Sequence, residues 1–307
     1  MKIPVLAVCG PTASGKTALA AELAKRFDGE VVSSDSMQIY KGMNIGTAKP
    51  TEEEKCGIVH HMLDVVDIDH NFSVSDYCDM AHGIIKDIHN RNKLPILAGG
   101  TGLYVDSLLN DIDFNSGETD RSVRQKFENM EPSELYEILE AKDPEAARDI
   151  HMNNVKRVIR ALEHIEITGE KFSDYKKKAA SSESRYNPLV LFIDWDREEL
   201  YRRINLRVDI MIKDGLLDEA RRIYEKNYDR NLTSMSAIGY KELFEYFDGD
   251  VSFEEAVESI KQNSRRYAKR QLTWFRRNKN MCVLTGGKDV IQDATVAVSK
   301  WLEEQNK

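Results

Sequence analysis

Long apolar runs are missing from this sequence. None approaches the ~18–20 residues that a membrane-spanning helix needs, so no membrane partner is expected. Paired cysteines are missing too. Cys9, Cys56, Cys78 and Cys282 stand far apart with no C-x-x-C pair. That argues against a zinc ribbon or a disulfide framework and for four reduced thiols in the cytoplasm. The apolar start is too short for a secretory signal and no small-residue cleavage site comes after it. An excess of positive charge is absent: 44 Lys and Arg stand against 52 Asp and Glu, a net charge of -8. This weighs against a nucleic-acid partner, although a net charge averages over patches. There is no internal repeat. The 307 residues correspond to about two domains at roughly 150 residues each, enough to bury a core without staples.

What is present is an alternation. Ile3–Val8, Val31–Ser34 and Leu94–Ala98 are short apolar runs that read as strands, and Ala18–Phe27 carries Leu19, Leu23 and Phe27 at helical spacing. Strands alternating with helices predict crossover units and a parallel sheet. The pattern breaks at Asn110–Thr119, which is polar and turn-rich. From about 120 to 171 the chain reads as wholly helical, with apolar stripes at Leu135, Ile138, Leu139 and at Val155, Ile159, Leu162. The Lys- and Ser-rich segment after it, up to Pro188, has loop composition. Leu189–Ile193 reads as a further buried strand, and helical patterns cover about 197–278 and Val290–Glu304. The expectation is an α/β core over 1–114 and 187–307, interrupted by a helical insertion over 115–186.

Gly10-Pro11-Thr12-Ala13-Ser14-Gly15-Lys16-Thr17 matches G-x-x-x-x-G-K-[ST] between a predicted strand and a predicted helix. The glycines let successive backbone N–H groups turn toward one anion, and the helix N-terminus adds favourable potential. Lys16 would neutralise phosphate charge, and the Thr17 hydroxyl could ligate Mg²⁺. The motif specifies a polyphosphate, not which bond breaks. A strand-end acid to hold a metal, usual in kinases, is missing from Leu94–Thr101. Asp194 ends a strand, but Asp196, Glu198 and Glu199 crowd the same helix start, so it reads rather as a cap of that helix.

Asp35 stands just past the second strand, and Thr101 sits in the turn Gly99-Gly100-Thr101-Gly102 after another. Both fall on the carboxyl edge of a parallel sheet, where ligands bind. Each could instead be an ordinary helix cap or turn residue. Ser264–Asn280 holds seven basic residues and no acid, interleaved with Tyr267 and Trp274. Arg265, Lys269 and Arg276 share one helical face, and Ala268, Leu272 and Phe275 form an apolar stripe. Cations mixed with aromatics suit phosphate contact and base stacking, or a solvated face over core aromatics. The adjacent His60 and His61 have no partner at metal-ligand spacing and read as structural.

Taken together, GPTASGKT at 10–17, DSMQIYKGMNIGTAKP at 35–50, HHMLD at 60–64, GGTGLY at 99–104, KRVIRALE at 156–163, RVDIM at 207–211, AIGYKE at 237–242 and YAKRQLTWFR at 267–276 resemble the bacterial tRNA dimethylallyltransferases, in order along the chain. The resemblance implies a P-loop NTPase/kinase-like parallel core with a helical insertion domain that contacts tRNA. It implies transfer of a dimethylallyl group from dimethylallyl diphosphate to N6 of the adenosine just 3′ of the anticodon, with Mg²⁺, by a cytoplasmic monomer. Asp35 would be the general base and Thr101 would bond near the reacting phosphate oxygen. Arg207 would meet the diphosphate, with Arg203 one turn away. Asp35, Ser36, Met37 and Gln38 would hold the flipped adenine. The tRNA anticodon stem-loop would also meet Thr101, Arg124, Lys156, Arg157, Val158, Ile159, Arg160, Lys269, Arg270, Trp274 and Arg276. The family usually has Gln where Lys156 stands; Lys only donates, which favours a phosphate contact over base reading. Two rivals remain: a small-molecule P-loop kinase, which leaves the basic segment unexplained, and a nucleotide-gated RNA binder, which gives Asp35 and Thr101 no work.

Overall fold

A computed structural model describes residues 2–111, 121–181 and 183–305. Two compact units emerge, Met1–Leu108 with Tyr186–Lys307, and Leu109–Arg185. The break expected at Asn110–Thr119 lies largely outside the described residues.

The first unit begins with β1 (Ile3–Cys9), α1 (Lys16–Arg26), β2 (Gly29–Ser33), α2 (Glu52–Lys55), β3 (His60–His61), α3 (Val74–Asn90), β4 (Leu94–Gly99) and α4 (Gly102–Leu109). The second unit is helical: α5 (Arg121–Glu128), α6 (Pro132–Lys142), α7 (Pro144–Asp149), α8 (Val155–Thr168) and α9 (Phe172–Ser181). The first unit resumes with β5 (Tyr186–Asp194), α10 (Arg197–Lys213), α11 (Leu216–Tyr224), α12 (Tyr240–Asp248), α13 (Phe253–Phe275), β6 (Cys282–Thr285) and α14 (Val290–Gln305).

The six strands form one parallel sheet in the order β3-β2-β4-β1-β5-β6. A parallel sheet is covered on both faces, so its strands are continuous apolar runs. Val5, Leu6, Ala7 and Val8 are accordingly buried, as are Val31, Val32, Ile96 and Leu97. Register aligns the strand ends. Cys9 pairs with Gly99 and with Phe192, and Ser33 pairs with Ala98. The loops after β1, β2 and β4 therefore leave from one edge.

Three details depart from the sequence reading. The segment expected to be a loop before Pro188 is largely helix α9. Asp143 explains it: its carboxylate accepts from Ser173 N–H at 2.8 Å and Ser173 Oγ–H at 2.8 Å, while also capping α7 through Ala146 N–H at 3.1 Å. One buried carboxylate thus fixes the starts of two helices. Second, β5 begins at Tyr186, before Pro188. Pro188 is tolerated because β6 pairs only with Leu191–Asp194, leaving that side free of ladder bonds. Third, β3 and β6, of two and four residues, are too short to stand out.

His60 and His61 form β3 at the sheet edge. His61 Nε2 lies 2.8 Å from the Glu30 carboxylate, and His60 Nδ1 lies 3.0 Å from the Ile58 carbonyl. Glu30 is buried and also accepts two bonds from Arg91, with Lys93 at 3.4 Å. The Arg91 bonds, opposed by burial and reinforced by His61 and Lys93, hold the Glu30 carboxyl down at about 2. A depressed carboxyl contributes stability above its unfolded pKa and loses it as pH falls through the folded value. In urea denaturation, the stability gap between the wild type and Glu30→Gln should hold steady above pH ~5 and shrink toward pH 2. A gap independent of pH would refute this linkage.

Candidate active site at the strand edge

The loop after β1 turns through left-handed backbone at Ala13 (φ 63°) and Gly15 (φ 92°). Gly10 is required by packing: a Cβ there would fall 2.6 Å from Ser14 Oγ. Gly15 begins α1 without a side-chain cap, and no acid stands in the first turn. The first amides of α1 are thus left for an anion, on the positive end of the helix. Arg203 Nε donates to the Ala13 carbonyl at 2.9 Å, and its guanidinium lies 4.4 Å over the Trp195 ring. Trp195 Nε1 donates to the Ser14 carbonyl at 2.9 Å. These two residues brace the outside of the loop. Sequence reasoning misses this bracing, because both residues lie about 180–190 positions from the loop they hold.

A cavity of about 220 Å³ opens at this edge. Thr12, Lys16 and Thr17 line it from the first loop, and Asp35, Ser36, Met37 and Gln38 from the second. Arg207 lines it from α10, while Arg203, bound to the loop carbonyl, does not. Geometry thus separates the two arginines that spacing leaves side by side. Burial, then repulsion from Arg207, pushes the Lys16 ammonium down to about 8, although Asp35 and Cys9 pull the other way. Burial likewise pushes Arg207 below the usual arginine range against the pull of Glu54 and Asp35. Lys16, Arg207 and Arg270 thus line one cavity whose lining holds a single acid, Asp35.

Asp35 Oδ1 accepts from Met37 N–H at 2.9 Å, the local turn that its residue type favours. Thr101 sits behind it: its Oγ1 accepts from Ser36 N–H at 3.2 Å, joining the loops after β4 and β2. Tyr267 and Gln271 line the cavity from α13, and burial followed by the Asp35 charge pushes the Tyr267 phenol up to about 12. Gln271 is 5% exposed. Its Oε1 accepts from Thr12 N–H at 2.9 Å and its Nε2 donates to the Gly100 carbonyl at 2.9 Å. Sequence reasoning misses Gln271 too, since it is hidden inside a run that reads only as charge.

The family model described as IPP transferase matches residues 38–278. The chain is 50% identical over 282 residues to the tRNA dimethylallyltransferase of Caldanaerobacter subterraneus subsp. tengcongensis, covering 90% of each. It is 51% identical over 279 residues to that of Bacillus velezensis, covering 90% of this chain and 88% of the relative. The chain belongs to the IPP transferase family. Its fold is similar to the crystal structure of the tRNA isopentenylpyrophosphate transferase of Bacillus halodurans, with a TM-score of 0.76, 43% identity, and 100% and 98% of the two chains covered. A eukaryotic dimethylallyltransferase described as acting on tRNA matches with a TM-score of 0.89 and 30% identity over 99% of this chain and 80% of that one. The parallel core is of the P-loop NTPase-like kind.

Within this family member the remaining expected residues separate by exposure. Val158 and Ile159, expected at tRNA, are 0% and 5% exposed and lie in the core of the helical unit with Leu135, Leu139 and Leu162. Their side chains are closed to RNA; they shape the helix that presents Lys156, Arg157 and Arg160, all exposed. Arg124 pairs with Glu128 at 2.7 Å and stands 3.8 Å from Glu163. On α13, Lys269 and Arg270 are exposed. Arg265 is tied to Asn205 at 2.7 Å and Glu258 at 3.0 Å, so it does not share their freedom. Trp274 donates from Nε1 to Asp106 at 2.6 Å, and its ring sits where a Cβ on Gly102 would fall 2.2 Å away. Arg276 caps the end of α13 and approaches Asp194 at 3.7 Å. Asp194 does not cap α10. Asp196 does, through Glu198 and Glu199 N–H.

The Gln271 bridge requires bare backbone at Gly100, where a Cβ would come within 2.1 Å of Nε2 and 3.1 Å of the Gly10 carbonyl. Gly100→Ala should cost about 1–3 kcal/mol in urea denaturation by overpacking a filled site. A neutral result would show that the contact relaxes freely.

Proposed function

We propose that the chain transfers a dimethylallyl group from dimethylallyl diphosphate to N6 of the adenosine immediately 3′ of the anticodon of tRNA. The observation that carries the reading is one cavity. It joins an acid-free helix start, Lys16 and Arg207 on one side to Asp35–Gln38 on the other. An exocyclic adenine amine is a weak nucleophile, because its lone pair is delocalised into the ring. The allylic carbon answers by delocalising positive charge as its C–O bond lengthens. The lone pair of N6 forms the new C–N bond, diphosphate departs, and the N6 proton passes to the Asp35 carboxylate. Loop amides, Lys16 and Arg207 take up the negative charge growing on diphosphate. Thr12, Ser14 and Gly15 belong to that cradle with Gly10, Pro11 and Ala13.

Thr17 lines the cavity beside Lys16. Its hydroxyl is the hard oxygen donor that Mg²⁺ accepts, so the residues present fit that ion, which when bound neutralises diphosphate charge. Thr101 holds Ser36 N–H and thereby the Asp35 turn. The base must leave its stack to reach this edge. The exposed cations Lys269, Arg270, Lys156, Arg157 and Arg160 suit the RNA backbone, as do Arg124 and Arg276 once drawn from their carboxylate partners. The kinase and the passive RNA binder leave part of this arrangement idle, and the relatives named above are transferases. The protein is taken to act as a monomer in the cytoplasm, as the family resemblance implies.

Incubation with dimethylallyl diphosphate, Mg²⁺ and unmodified tRNA should yield N6-dimethylallyladenosine by nucleoside mass spectrometry. In Asp35→Ala the rate should fall by ~10²–10⁴-fold, as for loss of a general base. ATP hydrolysis without this product would sink the transferase reading. A second test uses the Lys16 ammonium, held at about 8. It is charged below that value, so affinity for inorganic diphosphate should hold at lower pH and fall as pH rises through it. Calorimetry on Lys16→Arg, which stays charged, should lack this fall. An identical profile in both proteins would refute the assignment.

A further inference from the structure

Residues 34–50 cross the acceptor side of the cavity with no helix and no strand of their own, only an isolated bridge from Tyr40 to Val66. Such a segment would ordinarily be mobile. Here it is nailed to α11. Glu219, 2% exposed, accepts from Asn44 N–H at 3.0 Å, Ile45 N–H at 2.9 Å and Gly46 N–H at 3.1 Å. Tyr240 O–H donates to the same carboxylate at 2.6 Å. A buried carboxylate ringed by donors is a strong, directional anchor.

The anchor connects to the reacting edge by hydrogen bonds on one path. Asn44–Gly46 lead into Thr47 and Ala48, whose carbonyls accept from Gln38 Nε2 at 3.2 and 3.1 Å. Gln38 Oε1 accepts from Ser33 Oγ–H at 3.0 Å, at the end of β2. Gly46, Thr47 and Ala48 line the same cavity as Asp35, Met37 and Gln38. Gly46 must lack a side chain, because a Cβ would lie 2.5 Å from the Tyr240 ring. Glu219 itself does not line the cavity.

Resting on the transferase reading above, we propose that Glu219 is a positioning residue: it fixes the 44–48 wall and, through Gln38, sets the Asp35 turn against the acceptor base. The donor side, built on the loop after β1 and on Arg207, does not depend on it.

The test compares full-length wild type with Glu219→Gln, whose amide turns an N–H toward backbone donors, and with Tyr240→Phe, which keeps the ring over Gly46 and removes one donor. Under saturating tRNA and dimethylallyl diphosphate, kcat of Glu219→Gln should fall on the order of 10²-fold, the scale of a small misplacement of reacting groups. Tyr240→Phe should fall less. Inorganic diphosphate should bind both variants by calorimetry with wild-type stoichiometry and Kd, and hydrogen exchange should rise at the Asn44–Ala48 amides alone. Lost stoichiometry, weakened diphosphate binding or exchange raised throughout the sheet would make Glu219 merely structural and overturn the proposal. Wild-type kcat in Glu219→Gln would do the same. Should Glu219→Gln fail to fold, unchanged kcat in Tyr240→Phe would overturn it. Absence of product from the wild type would instead refute the transferase reading, and exchange at Asn44–Ala48 would still decide whether the clamp exists.

Discussion

One carboxamide sets the distance between α13 and the sheet. Gln271 accepts from Thr12 N–H and donates to the Gly100 carbonyl, so both ends of its amide are committed to loops that leave different strands. An amide side chain is what offers a donor and an acceptor at that separation. The helix must therefore come close, and the Gly-Gly-Thr-Gly turn is the consequence. Gly100 leaves room for Gln271 and Gly102 leaves room for Trp274. Tyr267, Gln271 and Trp274 lie at helical spacing along the side of α13 that faces this edge. The exposed Lys269 lies off that stripe, while Arg270, also exposed, reaches the cavity over the Tyr267 ring at 5.5 Å. A segment that reads as simply basic has an inner side that assembles the site, with Arg270 at the cavity, and an outer charge at Lys269 that remains in water.

The same closeness stores electrostatic tension. Lys16 and Arg207 lose solvent, and Arg207 repels Lys16, at a cavity whose lining holds one acid, Asp35. A polyanion relieves both penalties at once. The absence of acids in the first turn of α1 points the same way, since an acid there would stabilise the empty helix end and compete with a bound phosphate. α10 does the opposite. Asp196, Glu198 and Glu199 crowd its start, and that end is closed to anions.

These contrasts explain what is legible in the residues. The phosphate loop is legible because its chemistry is contiguous: glycine conformation, one lysine and one hydroxyl succeed each other along the chain. The Asp35 turn and the Gly-Thr turn are legible from their place after strands. Helix α9 is not, because its stability comes from Asp143, about thirty residues earlier in the chain, rather than from its own composition. Val158 and Ile159 mislead for a related reason. A basic motif reads as a linear RNA patch, whereas on a helix its consecutive residues point in different directions and the apolar ones pack inward. Asp194 reads as a cap because it ends an apolar run, but β5 extends through it and Asp196 meets the helix amides instead.

The acceptor wall is where sequence order and spatial role diverge most. Residues 34–50 hold their shape through two buried charges of opposite sign. Glu219 collects backbone N–H groups, and Lys49 Nζ donates to the Tyr40 carbonyl at 2.8 Å, to Asn44 Oδ1 at 2.9 Å and to Asp64 at 2.5 Å. One satisfies the loop's donors and the other its acceptors, which is how irregular backbone becomes rigid without a ladder. Lys49 lies within the loop, but Glu219 comes from a helix far along the sequence, and nothing in its neighbourhood marks it. Anion binding needs amides from one turn and can be written as a motif. Holding a base against a carboxylate needs a fixed wall, and here that wall is fixed by a residue whose importance exists only in three dimensions.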